Sequence, residues 1–227
     1  MIRPIVIDEL FQVNDNLQPV FVDGVIIIDD YYKNLEKIQK VLNRLYAPKW
    51  KPYKNSKNFI DYYDCRPVIF NYEVSSEYLD KIEYIGELIQ KYYKETTPLQ
   101  LVSKEYEFNF FKNIKVPPNN NFQHMPHRDS PYAGIIYLDN VCSGGLALYD
   151  NTLNIENTEH ENIYQDVSNI SKTIVEAKPN RLIIFEGERL HGGYIEDHNK
   201  YVSEWRQNEV FFLEKREDAP KSNKKSY

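Results

Sequence analysis

Two histidines and one aspartate stand out as residues that could hold a metal. His127 and Asp129 flank Arg128, and His191 follows much later in the chain. Two imidazoles and a carboxylate on one face of a metal leave its other coordination positions open, which suits a non-haem ferrous ion. A mixed nitrogen and oxygen site with open positions can also take zinc, so the triad alone leaves the metal undecided. On a strand, residues i and i+2 project from the same face. His127 and Asp129 can therefore reach one ion while Arg128 points away. The third donor must then come from a different strand.

The surroundings of the triad extend the pattern. Asp129 is followed by Ala133-Gly134-Ile135-Ile136-Tyr137-Leu138-Asp139-Asn140, then by Ser143-Gly144-Gly145-Leu146-Ala147-Leu148-Tyr149. His191 is preceded by Asn180-Arg181-Leu182-Ile183-Ile184-Phe185 and followed at once by Gly192-Gly193. Trp205-Arg206-Gln207-Asn208 then leads into Val210-Phe211-Phe212-Leu213. As a set, this order resembles the Fe(II)/2-oxoglutarate-dependent dioxygenases, and within them the prolyl-4-hydroxylase-like branch, over residues 105–213. The family pattern is a tyrosine-leucine-asparagine strand, a Gly-Gly turn, an apolar strand, a His-Gly pair and a basic residue before a closing strand. Here the first of these reads Tyr137-Leu138-Asp139-Asn140, a departure that begins after the tyrosine.

The resemblance implies an α+β, mainly β fold: a double-stranded β-helix (jelly roll) with N-terminal helices packed on one sheet. It implies Fe(II) held by His127, Asp129 and His191, with 2-oxoglutarate as cosubstrate and dioxygen as oxidant. Arg206 would bind the far carboxylate of 2-oxoglutarate. A guanidinium grips a carboxylate with two parallel hydrogen bonds and stays charged when desolvated. The plainer reading of Arg206 is a surface ion pair. Tyr137 would bring its hydroxyl to the same carboxylate; the plainer reading is a core tyrosine. The reaction implied is oxidative decarboxylation to succinate coupled to hydroxylation of an unactivated C–H bond. Halogenating relatives have a small residue in place of the carboxylate ligand, so Asp129 favours hydroxylation. The substrate implied is a prolyl or other amino-acid residue of a peptide, or a free amino acid or small molecule, although fold and cofactor do not fix it. Two other classes stay open: a zinc protein using the same ligands, and a non-catalytic β-sandwich binding module.

Composition sets further bounds. A chain of 227 residues, 41% hydrophobic and 27% charged, is globular. The expectation is one dioxygenase-like domain over residues 1–213, with a helical part at 20–98, a β-helix core at 100–213 and a disordered tail at 214–227. The net charge of −6 disfavours wrapping duplex nucleic acid. Nucleic-acid demethylation is disfavoured too, because that branch carries a second arginine soon after the first, and none follows Arg206 until Arg216. No apolar run is long enough for a membrane span, and Met1–Glu9 lacks the layout of a signal peptide. Two cysteines imply no disulfide framework. A cytoplasmic location is expected, and the oligomeric state is not legible.

Local patterns suggest how the elements are ordered. Val20–Ile28 reads as a strand interrupted by one turn. Leu35, Ile38, Leu42 and Leu45 make a helical stripe, with Asn34 or Asp30 as its cap. A second helix is expected over Ser76–Lys94, with Tyr78, Ile82, Ile85, Ile89 and Tyr92 on its apolar face. Six of the eight glycines fall between Gly134 and Gly193, among short apolar runs. Strands are expected at 100–112, 122–128, 132–138, 145–149, 181–186, 190–195 and 202–213, in a sandwich or barrel. The polar stretch Asn151–Ser171 is expected to be a long loop that could cover the metal. On a continuous strand His124 would face away from His127, as a rim residue and not a ligand. His160 and His198 read as loop residues, and Cys142 as a packed thiol. Gly192 and Gly193 would permit close backbone approach beside His191. Tyrosine pairs such as Tyr62-Tyr63 and Tyr92-Tyr93 could line a peptide groove, but packing is the plainer reading.

Overall fold

A computed structural model describes residues 11–44, 51–52, 62–65, 76–101, 107–113, 122–124, 126–129, 131–150, 164–201 and 204–216. In chain order its elements begin with β1 (Val20–Val22), β2 (Val25–Ile28), α1 (Leu35–Arg44), β3 (Lys51–Pro52), β4 (Tyr62–Cys65) and α2 (Ser76–Tyr93). Then come β5 (Leu99–Leu101), β6 (Glu107–Asn113), β7 (Phe122–His124), β8 (Tyr132–Tyr137), β9 (Gly145–Tyr149) and β10 (Tyr164–Asp166). The chain continues through β11 (Lys172–Glu176), β12 (Leu182–Glu186), β13 (His191–Tyr194), a 3-10 turn at His198–Tyr201 and β14 (Trp205–Lys215).

The fold is mainly β, with antiparallel sheets and few helices. Among the described residues the large sheet runs β1-β2-β12-β8-β14-β6-β4-β3, with β5 paired to the far end of β14. A second sheet runs β11-β9-β13, and β10 pairs with β7. Strands of the N-terminal half thus form both edges of the large sheet, where the sequence led us to expect helices and one interrupted strand. That interrupted strand is a hairpin: Asp23 and Gly24 have φ of 51° and 74°. Positive φ at both central residues is the two-residue turn whose twist matches the flanking strands, and Asp-Gly favours it.

Period-two alternation divides the large sheet into two faces. Leu182 and Ile184 of β12, Ile136 of β8, and Phe211 and Leu213 of β14 join Ile38 of α1 and Ile85, Leu88 and Ile89 of α2 in one core. Ile183 and Phe185 of β12 and Ala133 and Tyr137 of β8 turn the other way, against Leu146 and Leu148 of β9. So the helices cover one face of the large sheet and the second sheet covers the other. The Phe211 ring lies where a side chain on Gly134 would stand: an ideal β-carbon there falls 2.0 Å from its Cζ. α2 ends one residue before expected, because Lys94 turns left-handed at φ 59°, a common helix stop. Tyr93 donates its hydroxyl to the carbonyls of Gly24 and Ile184 and so ties α2 to the sheet, which is a packing role.

One polar group sits inside the helix–sheet core. Lys81 of α2 and Glu209 of β14 form an ion pair at 2.5 Å, each side chain 1% exposed. The Tyr32 hydroxyl donates to the other oxygen of Glu209. Burial pushes the Lys81 pKa down, and the charge and hydrogen bond of Glu209 oppose that.

Several expectations change. The run 100–112 is two strands. β14 continues to Lys215, so the expected tail loses its first two residues to the sheet. Of the expected loop Asn151–Ser171, residues 164–166 form β10, and 151–163 lie outside the described residues, as do 217–227, Leu45 and His160. Nothing is described of the Tyr62 and Tyr63 side chains. Among the described residues no helix is long and apolar enough to cross a membrane.

Candidate metal centre

Strand β7 stops at His124, and Pro126 follows two residues later. Proline has no N–H for a ladder, which is a local reason for the stop. His127 then makes a lone antiparallel bridge to His191 at the start of β13, with backbone hydrogen bonds of 2.8 and 3.0 Å. Two residues on, the Asp129 N–H donates to the Gly187 carbonyl at 2.8 Å. Backbone bonds thus fix the chain at both His127 and Asp129, though not within the continuous strand 122–128 that the pattern suggested. This break also alters the place of His124: its ring meets the His127 ring edge-on at 4.8 Å instead of facing away.

The three side chains converge. One donor atom from each of His127, Asp129 and His191 lies within 4.8 Å of the others. Asp129 Oδ2 is 3.1 Å from His191 Nε2 and 3.5 Å from His127 Nε2. Adjacent ligands of a metal bonded at about 2.1 Å stand about 3 Å apart, so this spacing fits a shared cation. The tautomer of His191 fits as well. Its Nδ1 lies 2.8 Å from the Arg189 carbonyl, an acceptor only, so Nδ1 carries the proton in the neutral ring. Nε2 then offers a lone pair towards the lone pairs of Asp129, an arrangement that a cation between them satisfies. A ligating histidine ordinarily has its other nitrogen oriented in this way.

Burial pushes the Asp129 carboxyl up; when the imidazoles are protonated, hydrogen bonds and charge from His127 and His191 outweigh it and hold the pKa well below the usual carboxylate range, and a cation between neutral rings would act in the same sense. The His191 side chain is 5% exposed, while those of His127 and Asp129 are 29% and 27% exposed. Phe185 packs edge-on against His191 with ring centroids 4.7 Å apart. The site is therefore dry on the His191 side and open on the other.

Arg206 is buried, 8% exposed, and not on the surface. It lies in β14 on the inward phase, since Val210 and Phe212 share its parity and Glu209, Phe211 and Leu213 have the other. Its guanidinium carbon is 5.9 Å from the centroid of the Tyr137 ring. The Tyr137 hydroxyl is buried with no hydrogen-bond partner among the described residues, and Asn208 Oδ1, across the strand pair from it, is in the same position. Burial pushes the Tyr137 phenol up, and the charge of Arg206 pulls against it. A buried cation beside an orphaned hydroxyl, which can donate, is a cradle suited to a carboxylate.

Sequence reasoning missed the wall behind Arg206. His198, read as a loop residue, is fully buried, and burial, then the charge of Arg206, pushes it down to about 4. The Tyr201 hydroxyl accepts from the Ser143 N–H at 2.9 Å. Asp139 accepts from the N–H groups of Val141 and Cys142 at 3.1 and 2.7 Å, shaping the turn after β8. Burial pushes the Cys142 thiol up, which makes it an inert packed residue. The signals were a histidine four residues after Tyr194 and a Tyr-Leu-Asp in place of an asparagine; neither is specific.

No family profile and no curated protein matches the chain by sequence. Solved structures do resemble it. The epimerase SnoN, in complex with Fe3+, alpha-ketoglutarate (2-oxoglutarate) and nogalamycin RO, matches at 12% identity and a TM-score of 0.56, over 85% of this chain and 79% of that one. HygX from Streptomyces hygroscopicus, with nickel and 2-oxoglutarate bound, matches at 13% identity and a TM-score of 0.50, over 85% and 83%. The alpha-ketoglutarate-dependent carbocyclase SnoK matches at 11% and 0.50, over 84% and 79%. A Pseudomonas putida prolyl-4-hydroxylase also matches, at 10% and 0.48, a likeness too loose to single out its branch. The chain therefore shares its fold with the SnoN, HygX and SnoK structures.

Proposed function

We propose that this protein is an Fe(II)- and 2-oxoglutarate-dependent oxygenase that hydroxylates an unactivated C–H bond. The observation that carries the reading is the meeting of His127, Asp129 and His191 at one point, with a buried guanidinium inward of it. The strand orders β12-β8-β14-β6 and β11-β9-β13, with His127 bridged to β13, support a double-stranded β-helix, because the chain crosses between the two sheets from β8 to β9 and again at each step from β11 to β14.

In this reading His127, Asp129 and His191 hold Fe(II). Ferrous iron with 2-oxoglutarate and dioxygen supplies an oxidant able to take hydrogen from carbon, with succinate and carbon dioxide as coproducts. Arg206 pairs with the far carboxylate of 2-oxoglutarate, and the Tyr137 hydroxyl donates to it. His191 and Gly193, beside which the guanidinium lies, are two positions apart on β13; that step is about 7 Å, the scale of a five-carbon diacid. Phe185 and Leu148 keep water from the His191 side. The substrate approaches past His127 and Asp129, the more exposed ligands. Asp129 favours hydroxylation over halogenation, since its carboxylate fills the place a halide would need. The substrate class we favour is a prolyl or other amino-acid residue of a peptide, or a free amino acid or small metabolite. A reducing, cytoplasmic setting suits ferrous iron.

The test is succinate formation by anaerobically prepared, Fe(II)-loaded protein given 2-oxoglutarate and air, together with a peptide and metabolite screen for the gain of one oxygen. Asp129→Ala should abolish both. Tight zinc binding with no affinity for 2-oxoglutarate would favour the zinc protein instead.

A further inference from the structure

We propose that Gly193 is a positioning residue for the diacid: its missing side chain is the space in which the Arg206 guanidinium lies flat to meet a carboxylate. This rests on the reading of Arg206 above. His191 and Gly193 are i and i+2 on β13, so they share a face. Their cross-strand partners, Leu148 and Leu146, both belong to the inner core. The glycine thus faces inward, one step along the strand from the proposed metal ligand.

An ideal β-carbon on Gly193 would stand 3.2 Å from Arg206 Nη1, 3.7 Å from Nη2 and 3.9 Å from Cζ. All three are guanidinium atoms. The first distance is tighter than ordinary van der Waals contact, so the group would have to shift by a few tenths of an ångström. Backbone conformation does not demand glycine here: the φ of Gly193 lies outside the left-handed region, unlike those of Gly144 and Gly145. The need is one of space.

The guanidinium has little room to yield. Its strand is paired on both sides, to β8 and β6. The Tyr137 ring flanks it at 5.9 Å, and the side chains of Tyr201 and His198 are close enough for its charge to act on both. Bidentate recognition depends on the orientation of a planar fork, which a small tilt spoils while leaving the charge in place. A β-carbon at 193 therefore costs hydrogen-bond geometry and not the cation itself. An ammonium at 206 has no plane to tilt, so it should be far less sensitive.

The experiment is calorimetric titration of the full chain loaded with Mn(II), under argon, with 2-oxoglutarate and separately with oxalate, which chelates a metal but carries no distant carboxylate. Gly193→Ala should bind 2-oxoglutarate at least roughly tenfold more weakly, the loss of about one charge-assisted hydrogen bond. Mn(II) and oxalate should bind as they do to the parent. In an Arg206→Lys background, adding Gly193→Ala should change 2-oxoglutarate affinity less than roughly twofold, a difference that isolates the contact. Unchanged affinity in Gly193→Ala, an equal loss of oxalate, or the same loss beside Lys at 206 would overturn the inference. Loss of Mn(II) would also overturn it, since the glycine would then act on His191. A parent protein that binds Mn(II) and oxalate but not 2-oxoglutarate refutes the Proposed function itself, and this inference with it.

Discussion

Lys81→Met is a direct test of how the helices are fastened to the sheet. Lys81 and Glu209 are each 1% exposed and 2.5 Å apart, and the ammonium also lies 5.0 Å from the centroid of the Tyr32 ring and 5.8 Å from that of Phe211. Methionine keeps most of the stem's volume and removes the charge. The carboxylate of Glu209 is then stranded in an apolar core. Breaking a buried ion pair from one side costs about 3–5 kcal/mol, because the partner's desolvation is no longer offset. Tyr32 still donates to Glu209, so we expect the lower end, about 3 kcal/mol. For a chain of this size 1 kcal/mol moves the midpoint by roughly 2–4 °C, which gives a fall of about 6–12 °C. Removing the whole group, as Lys81→Met with Glu209→Leu and Tyr32→Phe, should restore most of it, since apolar replacement of a buried pair is often neutral or stabilising. Scanning calorimetry, with urea titration at fixed pH, measures both. A single variant melting within about 2 °C of the parent, or a triple variant no better than the single, would refute the reasoning.

Arg206→Ala should weaken 2-oxoglutarate binding by at least roughly a hundredfold, two charge-assisted bonds' worth, and leave Mn(II) affinity nearly unchanged; equal loss of both would mean that Arg206 is only structural. Gly134→Ala forces the Phe211 ring out of the helix–sheet core and should cost about 1–3 kcal/mol by urea unfolding, with Phe211→Leu relieving part of the cost in the double variant. Glu95 is held at about 2 by the Thr97 N–H, against burial and with help from Lys215 and Tyr132. Its folded pKa lies below the unfolded value of 4.5, so its contribution is full above that value and is lost as pH falls towards about 2. Glu95→Gln should flatten this part of the stability-versus-pH curve, and an unchanged slope would count against the assignment.

Much of the site was legible because its chemistry demands rare side chains in a fixed chain order. His127, Asp129 and His191 were picked out by residue type and spacing, and Arg206 by the resemblance its surroundings carry; the structure brings the first three together. What escaped was of two kinds. Strand ends depend on single residues: Pro126 stops β7, which let the His124 ring come round to His127, and a continuous-strand reading cannot foresee that. Pairing across long stretches of chain depends on the whole sheet. β3 and β4 are too short to carry a period, and Lys81 sits on a helix whose charged residues mostly read as solvated. Glu209 did leave a trace, as a carboxylate in the same phase as Phe211 and Leu213. A charge in the apolar phase of a strand calls for a partner, and this one lies on α2.

β14 links the two halves of the molecule. Its inward phase carries Arg206 towards the second sheet, and its outward phase carries Glu209 to Lys81, three residues further on. The strand is hydrogen-bonded to β8 on one side and to β6 on the other, so neither side chain can be re-aimed by sliding β14 along its neighbours: a one-residue slip would exchange the two faces. Such a slip would put a guanidinium under the helices beside Lys81 and a carboxylate where the proposed diacid is held, each a buried charge facing its like, which costs several kcal/mol. The buried ion pair on the helical side is therefore one of several features, with the backbone pairing of β14, that hold the register presenting the guanidinium on the other. The prediction that separates register from mere stability is that Lys81→Met, below its melting point, still binds 2-oxoglutarate like the parent. Backbone pairing and Phe211 over Gly134 continue to hold β14 in place. Selective loss of the diacid in folded Lys81→Met protein would mean instead that the ion pair alone sets the strand.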